Sequence, residues 1–216
     1  MIFFFADNHY DSFPGRHIYE QLKADYDISF YEDDWSVMEN DDFSDKCDLL
    51  ILNMIGETCD VPHPSEAAEK QIRKYAENGG SFLLLHGSSA AFWKWAWWRE
   101  IVGFRWVRPN DPDNAAKSTH PVKPYRVEVA KCRHELCSKL ESIDLPADEI
   151  YTELEQTCPV SVLMQTKIEE GTFPQCYECA TSWGGRIIGY LPGHKVEVTS
   201  SPEFICNIKV LLDYIS

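Results

Sequence analysis

The sequence contains no apolar run approaching the roughly 18–20 residues needed to cross a bilayer. Basic residues are scarce: 20 Lys and Arg stand against 35 Asp and Glu, a formal net charge of −15. Such a field repels phosphate backbones and anionic lipid surfaces. Nucleic acid and membranes are therefore not expected as partners, whereas a neutral small molecule meets no penalty. Met1–Ala6 is apolar but lacks a basic leader and runs straight into Asp7. It reads as a buried first strand, not an export signal, and the expected compartment is the cytoplasm. No repeat, low-complexity segment or linker breaks the chain. Its 216 residues suit one core, so residues 1–216 are expected to form a single domain.

Zinc-type spacings are also missing. There is no HxH, no HExxH, and only one CxxC, Cys176-x-x-Cys179, in an alternating strand pattern. A tetrahedral structural site usually needs a second such pair or added histidines. The eight cysteines (Cys47, Cys59, Cys132, Cys137, Cys158, Cys176, Cys179 and Cys206) are expected to be reduced, several as small core residues.

What is present reads as βαβ units. Short apolar runs at Met1–Ala6, Tyr26–Tyr31, Cys47–Asn53 and Ser81–Leu85 predict strands, and Leu49–Leu52 predicts one buried on both faces. A helix is expected from about Arg16 to Ala24. Another spans Ser65–Asn78, capped by Ser65, with Ala68, Ile72, Tyr75 and Ala76 on one stripe and Gly79-Gly80 ending it. A tryptophan-rich helix is expected from about Ala90 to Val102, and a last one begins at Pro202. Arg108–Ser118 reads as a long exposed loop. Tyr125–Ala130, Glu149–Glu153, Val160–Gln165 and Gln175–Ser182 read as strands, with a hairpin at Trp183–Arg186 leading into Ile187–Leu191.

Ligands of open α/β sheets bind beyond the carboxyl ends of the strands. Three loops there each carry a histidine: His9, His86 and His194. His86-Gly87 sits at a strand–turn–helix elbow, where hydrolases lift a nucleophile into the open. A histidine there suits a general base, a proton donor or a metal ligand; the plainer alternative is a histidine bonded to backbone at a tight turn. Gly193-His194-x-x-Glu197 places a carboxylate near another histidine. Phe92 and Trp93, nearest the elbow, are candidates for an apolar pocket wall, and the rest of the tryptophan cluster reads as core.

His86-Gly87-Ser88-Ser89-Ala90-Ala91-Phe92, with Trp97-x-Arg99-Glu100-x-Val102-Gly103 after it, resembles a stretch of the trehalose-utilisation, or ThuA-like, proteins. His120-Pro121, Asp148-Glu149-Ile150-Tyr151, Trp183-Gly184-Gly185-Arg186, Gly193-His194 and Asp11–Gly15 resemble further family elements in the right order. Two departures border the presumed pocket: a longer, more acidic loop at Arg108–Thr119, and Asp7-Asn8-His9 in place of a glycine-rich first loop.

The resemblance implies an α/β sandwich, flavodoxin-like and class I glutamine amidotransferase-like, with a mostly parallel central sheet flanked by helices. His86 then stands where amidotransferases hold cysteine, which excludes amidotransferase chemistry. It implies a partner that is a neutral sugar or keto-sugar, a trehalose-type disaccharide or hexose derivative. Carried over by position, His86, His120, Glu149 and His194 are the catalytic candidates. His9 and Tyr151 join Phe92 and Trp93 as substrate-binding candidates. Acid–base chemistry of the isomerase or hydrolase kind, a metal-dependent enzyme holding a divalent ion at the same pocket, and a non-catalytic carbohydrate-binding or regulatory protein all stay open. No cofactor is firmly implied, and a homo-oligomer is left open.

Overall fold

The structure, a computed structural model, describes residues 1–57 and 60–216. Along the chain come β1 (Ile2–Ala6), α1 (Pro14–Leu22), β2 (Ile28–Glu32), α2 (Phe43–Lys46), β3 (Leu49–Asn53), α3 (Glu66–Glu77), β4 (Ser81–Leu85) and α4 (Ala96–Ile101). After them follow β5 (Phe104–Arg105), β6 (Val122–Val129), β7 (Ile143–Glu149), β8 (Glu155–Gln156), β9 (Ser161–Ile168), β10 (Gly171–Ala180), β11 (Arg186–Tyr190), α5 (Val196–Thr199) and α6 (Pro202–Ile215). Nine strands form one sheet in the order β2-β1-β3-β4-β11-β10-β9-β6-β7, and β5 pairs with β8 apart from it.

The junctions β2-β1, β1-β3, β3-β4 and β4-β11 are parallel. Those from β11 to β7 are antiparallel. The strand order of the parallel half is that of flavodoxin-like sheets, with its switch point between β1 and β3. The expectation of a mostly parallel sheet is therefore corrected. Connection length accounts for two of these junctions: β9–β10 and β10–β11 are joined by short turns, which can only return a strand antiparallel, whereas a parallel neighbour needs a crossover of a dozen or more residues.

Period-two alternation builds a core on each face of the parallel half. Phe4, Leu49, Ile51 and Leu83 pack with Ile18 and Leu22 of α1 and Phe204, Leu211 and Leu212 of α6. Phe3, Leu50, Leu52 and Phe82 pack on the other side with Ile72 and Tyr75 of α3 and Trp98 of α4. The cap read at Ser65 is present, its Oγ accepting the Ala68 amide (3.3 Å), and Ser201 Oγ likewise accepts that of Phe204 (3.3 Å) at the start of α6.

Three further expectations change. The tryptophan segment is not one helix: His86–Ala90 is a 3₁₀ turn, and α4 begins only at Ala96. Trp95 takes an extended backbone (φ −85°, ψ 115°), which lets Phe92 stack on it at 4.1 Å with Trp98 edge-on to Phe92. Glu149 ends a strand instead of starting one, because β7 runs through Pro146. Proline is tolerated there because β7 is the sheet edge. Cys132 and Cys137 form a disulfide, their Cα atoms 6.5 Å apart and within bridging reach. Cys47, Cys158, Cys176, Cys179 and Cys206 are free thiols, and Cys59 lies outside the described residues. Among the described residues no helix is long and apolar enough to cross a membrane.

The loop expected to be exposed is pinned at its base. Buried Arg105 pairs with Asp111 (2.9 Å), Asp113 (3.2 Å) and Glu155. The Val107 amide donates to Ser118 Oγ (2.9 Å) and the Ser118 amide to the Val107 carbonyl (3.1 Å). Thr119 and Thr152 exchange backbone hydrogen bonds just beyond. This fixes where Trp106, Arg108 and His120 project.

Candidate functional site

His9, His86 and His194 follow β1, β4 and β11, at the carboxyl ends of the parallel strands. His86 is held at φ +52° and His9 at φ +47°. Left-handed backbone at non-glycine residues costs about 1–3 kcal/mol each and persists only where surroundings impose it. For His86 the surroundings are Ser88, whose hydroxyl accepts the Met54 amide (3.0 Å) and reaches the Leu85 carbonyl (2.6 Å). Gly87 must lack a side chain, since a Cβ there would stand 2.4 Å from Ile55 Cγ2 and 3.0 Å from the Tyr151 hydroxyl.

Each ring has its own anchor. His86 Nδ1 lies 3.0 Å from the Leu191 carbonyl, which assigns the proton to that nitrogen. Nε2 then faces the Tyr151 hydroxyl at 3.0 Å and Glu149 Oε2 at 3.5 Å. His9 Nδ1 is 3.6 Å from Asp7 Oδ1, and Asp7 Oδ2 accepts the Ile55 amide at 2.7 Å. Asp148 Oδ2 accepts the amides of Gly193 (3.0 Å) and His194 (3.3 Å), which sets the closing loop. His9 Nε2 and His194 Nδ1 stand 2.9 Å apart.

Glu149 joins these rings. Its Oε1 lies 3.1 Å from His120 Nδ1 and 3.7 Å from His194 Nδ1. A cavity of about 360 Å³ opens above, bounded by Trp106, Tyr151, Arg108, His120, Glu149 and His194 among others, a size suited to a small ligand. The Trp106 ring sits 4.8 Å from Tyr151 and 5.3 Å from His120.

The electrostatics separate the groups. Burial alone would raise Glu149, but its hydrogen bond to His86 and the charges of His86, His194 and His120 bring its pKa down to about 2. Burial, reinforced by His86, pulls His194 down to about 4 against the opposing pull of Glu149. Burial lowers His9 as well, despite Asp7. At His86 burial pulls downward, yet Glu149 and Asp148 outweigh it and the net shift is upward. Burial, with Glu149 and Asp148 beside it, raises the Tyr151 phenol.

The structure thus brings His9, His86, His120, Glu149, Tyr151 and His194 into one neighbourhood. It does not bring Phe92, which is fully buried against Trp95. Trp93 stands one layer back: the Arg108 guanidinium lies over its ring at 4.8 Å while donating to the carbonyls of Gly56 (2.9 Å) and Ile55. The aromatic wall is Trp106 instead. Sequence reasoning missed Trp106, Arg108, Asp7 and Asp148. Asp7 was legible as the first polar residue after β1, and Asp148 as the neighbour of Glu149. Nothing in the spacing around Trp106 and Arg108 marks them, because the pinned loop alone turns them inward.

A model of the ThuA family, described as trehalose utilisation, matches residues 7–210. The chain belongs to the ThuA family. Among solved structures, a ThuA-like protein from Parabacteroides merdae superposes on this ThuA chain with a TM-score of 0.77 at 15% identity, over 99% of this chain and 88% of that one. A cytoplasmic protein from Salmonella typhimurium gives 0.68 at 15% identity, over 99% and 98%. The β-galactosidase from Rahnella sp. R3 gives 0.59 at 13% identity, over 99% of this chain but 31% of the enzyme. At these identities the likeness is one of fold. No curated protein matches the sequence.

Proposed function

We propose that this ThuA protein is a cytoplasmic enzyme that binds a neutral sugar, an oxidised disaccharide or hexose derivative, and exchanges protons with it at Glu149. The carrying observation is that one carboxylate lines the cavity while touching His86, His120 and His194 within 3.1–3.7 Å. A proton moved beside a ketone needs a base and an acid within hydrogen-bond reach of the same substrate atoms, and geometry is the first requirement. Glu149, His120 and His194 border the cavity directly, and His86 reaches it through the Tyr151 hydroxyl. Trp106 offers the flat apolar face that a sugar ring stacks on. The family's description and the cytoplasmic relative from Salmonella support the metabolic setting.

The test separates binding from turnover across keto-sugars and their parent sugars. Glu149→Gln should lower the rate about 10²–10⁴-fold with a smaller effect on binding. Trp106→Ala should weaken binding first. Unchanged turnover in Glu149→Gln refutes the catalytic assignment, and no binding of any sugar by the parent protein removes the substrate class.

A further inference from the structure

We propose that His9, His86 and His194 form a binding site for one zinc-type divalent cation. One ring nitrogen from each lies within 4.8 Å of the others. An ion seated among them would replace the present contacts of His86 Nε2 with the Tyr151 hydroxyl (3.0 Å) and of His9 Nε2 with His194 Nδ1 (2.9 Å). His86 spends Nδ1 on the Leu191 carbonyl and turns Nε2 inward. His9 has Nδ1 toward Asp7, leaving Nε2 opposite His194 Nδ1. Three imidazoles are the donor set of catalytic zinc sites that keep one position open, at Zn–N distances of about 2.0–2.1 Å.

Two independent features point to an ion and not merely to a cluster of rings. First, zinc-bound histidines almost always donate their second nitrogen to a carbonyl or carboxylate. For His86 that carbonyl is Leu191, 3.0 Å from Nδ1. Second, Asp7 Oδ1 is buried with no hydrogen-bond partner among the described residues, and it faces the His9 ring at 3.6 Å. A buried carboxylate oxygen left so is costly unless positive charge lies nearby. A cation on His9 Nε2 supplies it, by polarising the Nδ1–H toward Asp7. Asp148 and Glu149 add negative charge around the same rings. His9 and His86 are both held in left-handed backbone, which fixes two of the three donors on rigid turns. With an ion seated, these three rings hold it. Proton exchange then falls to Glu149 and His120, and the open position faces the cavity.

The ion site shares His86 and His194 with the proposed sugar pocket but does not rest on the sugar, and its test contains none. Full-length protein is stripped with chelator, dialysed, and titrated with Zn²⁺ by calorimetry and with Co²⁺ by visible absorption. One ion per chain is expected, with intense tetrahedral Co²⁺ bands. His9→Ala and His194→Ala should lose stoichiometric binding, while His120→Ala keeps it. Asp7→Asn should keep the stoichiometry and weaken affinity about 10–100-fold, the usual effect of losing an outer partner of a ligand. Near-ultraviolet circular dichroism checks that each variant is folded. Failure of the folded parent chain to bind either ion overturns the site, as does equal binding by folded His9→Ala and His194→Ala. Sugar binding measured on the stripped parent reports separately on the proposed substrate.

Discussion

β3 is buried at every position, whereas β6 alternates between exposed and buried residues along most of its length. The contrast extends to the two halves of the sheet. The parallel half is covered on both faces by helices, which forces near-continuous apolar strands and leaves only their ends for chemistry. The antiparallel half ends in the edge strand β7, and from that edge it delivers Glu149, with Tyr151 just beyond. The site is assembled across this divide: three histidines from the rigid half meet a carboxylate and a phenol from the other. Position comes from one half and charge from the other.

The comparison is broken most severely in the parallel half. Leu83→Ala, at a fully buried position of β4, should cost about 2–5 kcal/mol in urea unfolding. A cost below about 1 kcal/mol would show that the central strands carry less of the stability than their burial implies. Gly87→Ala strikes the junction of the halves. Its Cβ meets Ile55 Cγ2 from one half and the Tyr151 hydroxyl from the other. A loss of about 1–3 kcal/mol is expected, together with reduced turnover.

Acidity sharpens the same contrast in metal-free protein. His194 falls to about 4 in the fold from an ordinary 6.5, so the unfolded chain takes up its proton first. The contribution of His194 to stability is complete above pH 6.5 and is lost as pH falls toward 4. Glu149, lowered from 4.5 to about 2, extends the loss below that. His86 acts oppositely: raised above 6.5, it stabilises below that pH, and its contribution fades as pH climbs through its folded value. Urea unfolding across pH should show the upper acid limb flatten in His194→Ala; an unchanged limb would place the proton uptake elsewhere. Smallest of all, Val122→Ala on β6, 54% exposed, should stay within about 0.5 kcal/mol of the parent.

The halves also differed in how far they could be read. β1, β3 and β4 are apolar runs bounded by polar turns, and flanking helices with clear caps make their parallel pairing the natural reading. That same pattern put His9, His86 and His194 at one sheet end. Alternating strands such as β6, β9 and β10 announce a half-buried surface but not its neighbours; the hairpin read at Trp183–Arg186 does return β11 antiparallel to β10, and the mostly parallel sheet was an expectation of the family resemblance alone. Phe92 failed for a different reason. A continuous helix would have aimed it beside the elbow, but the backbone leaves helical geometry at Trp95 and folds its ring into the core. Trp106 was illegible because its direction depends on ion pairs of Arg105 with residues up to 50 positions away.

The closed base of the Arg108–Ser118 loop carries a consequence for how this scaffold can diversify. Val107 and Ser118 are already bonded to each other, and Asp111 and Asp113 are tied back to Arg105. The stretch from Asn114 to Lys117 lies outward of these ties. Extra residues inserted there would lengthen a loop whose ends no longer need to find one another, and each doubling of its length adds only about 0.6 kcal/mol of closure entropy. Trp106 and His120 would keep their places while a new rim grew above them. The chain thus contains a natural grafting point, at which the mouth of the cavity can be rebuilt for larger ligands without disturbing the groups beneath.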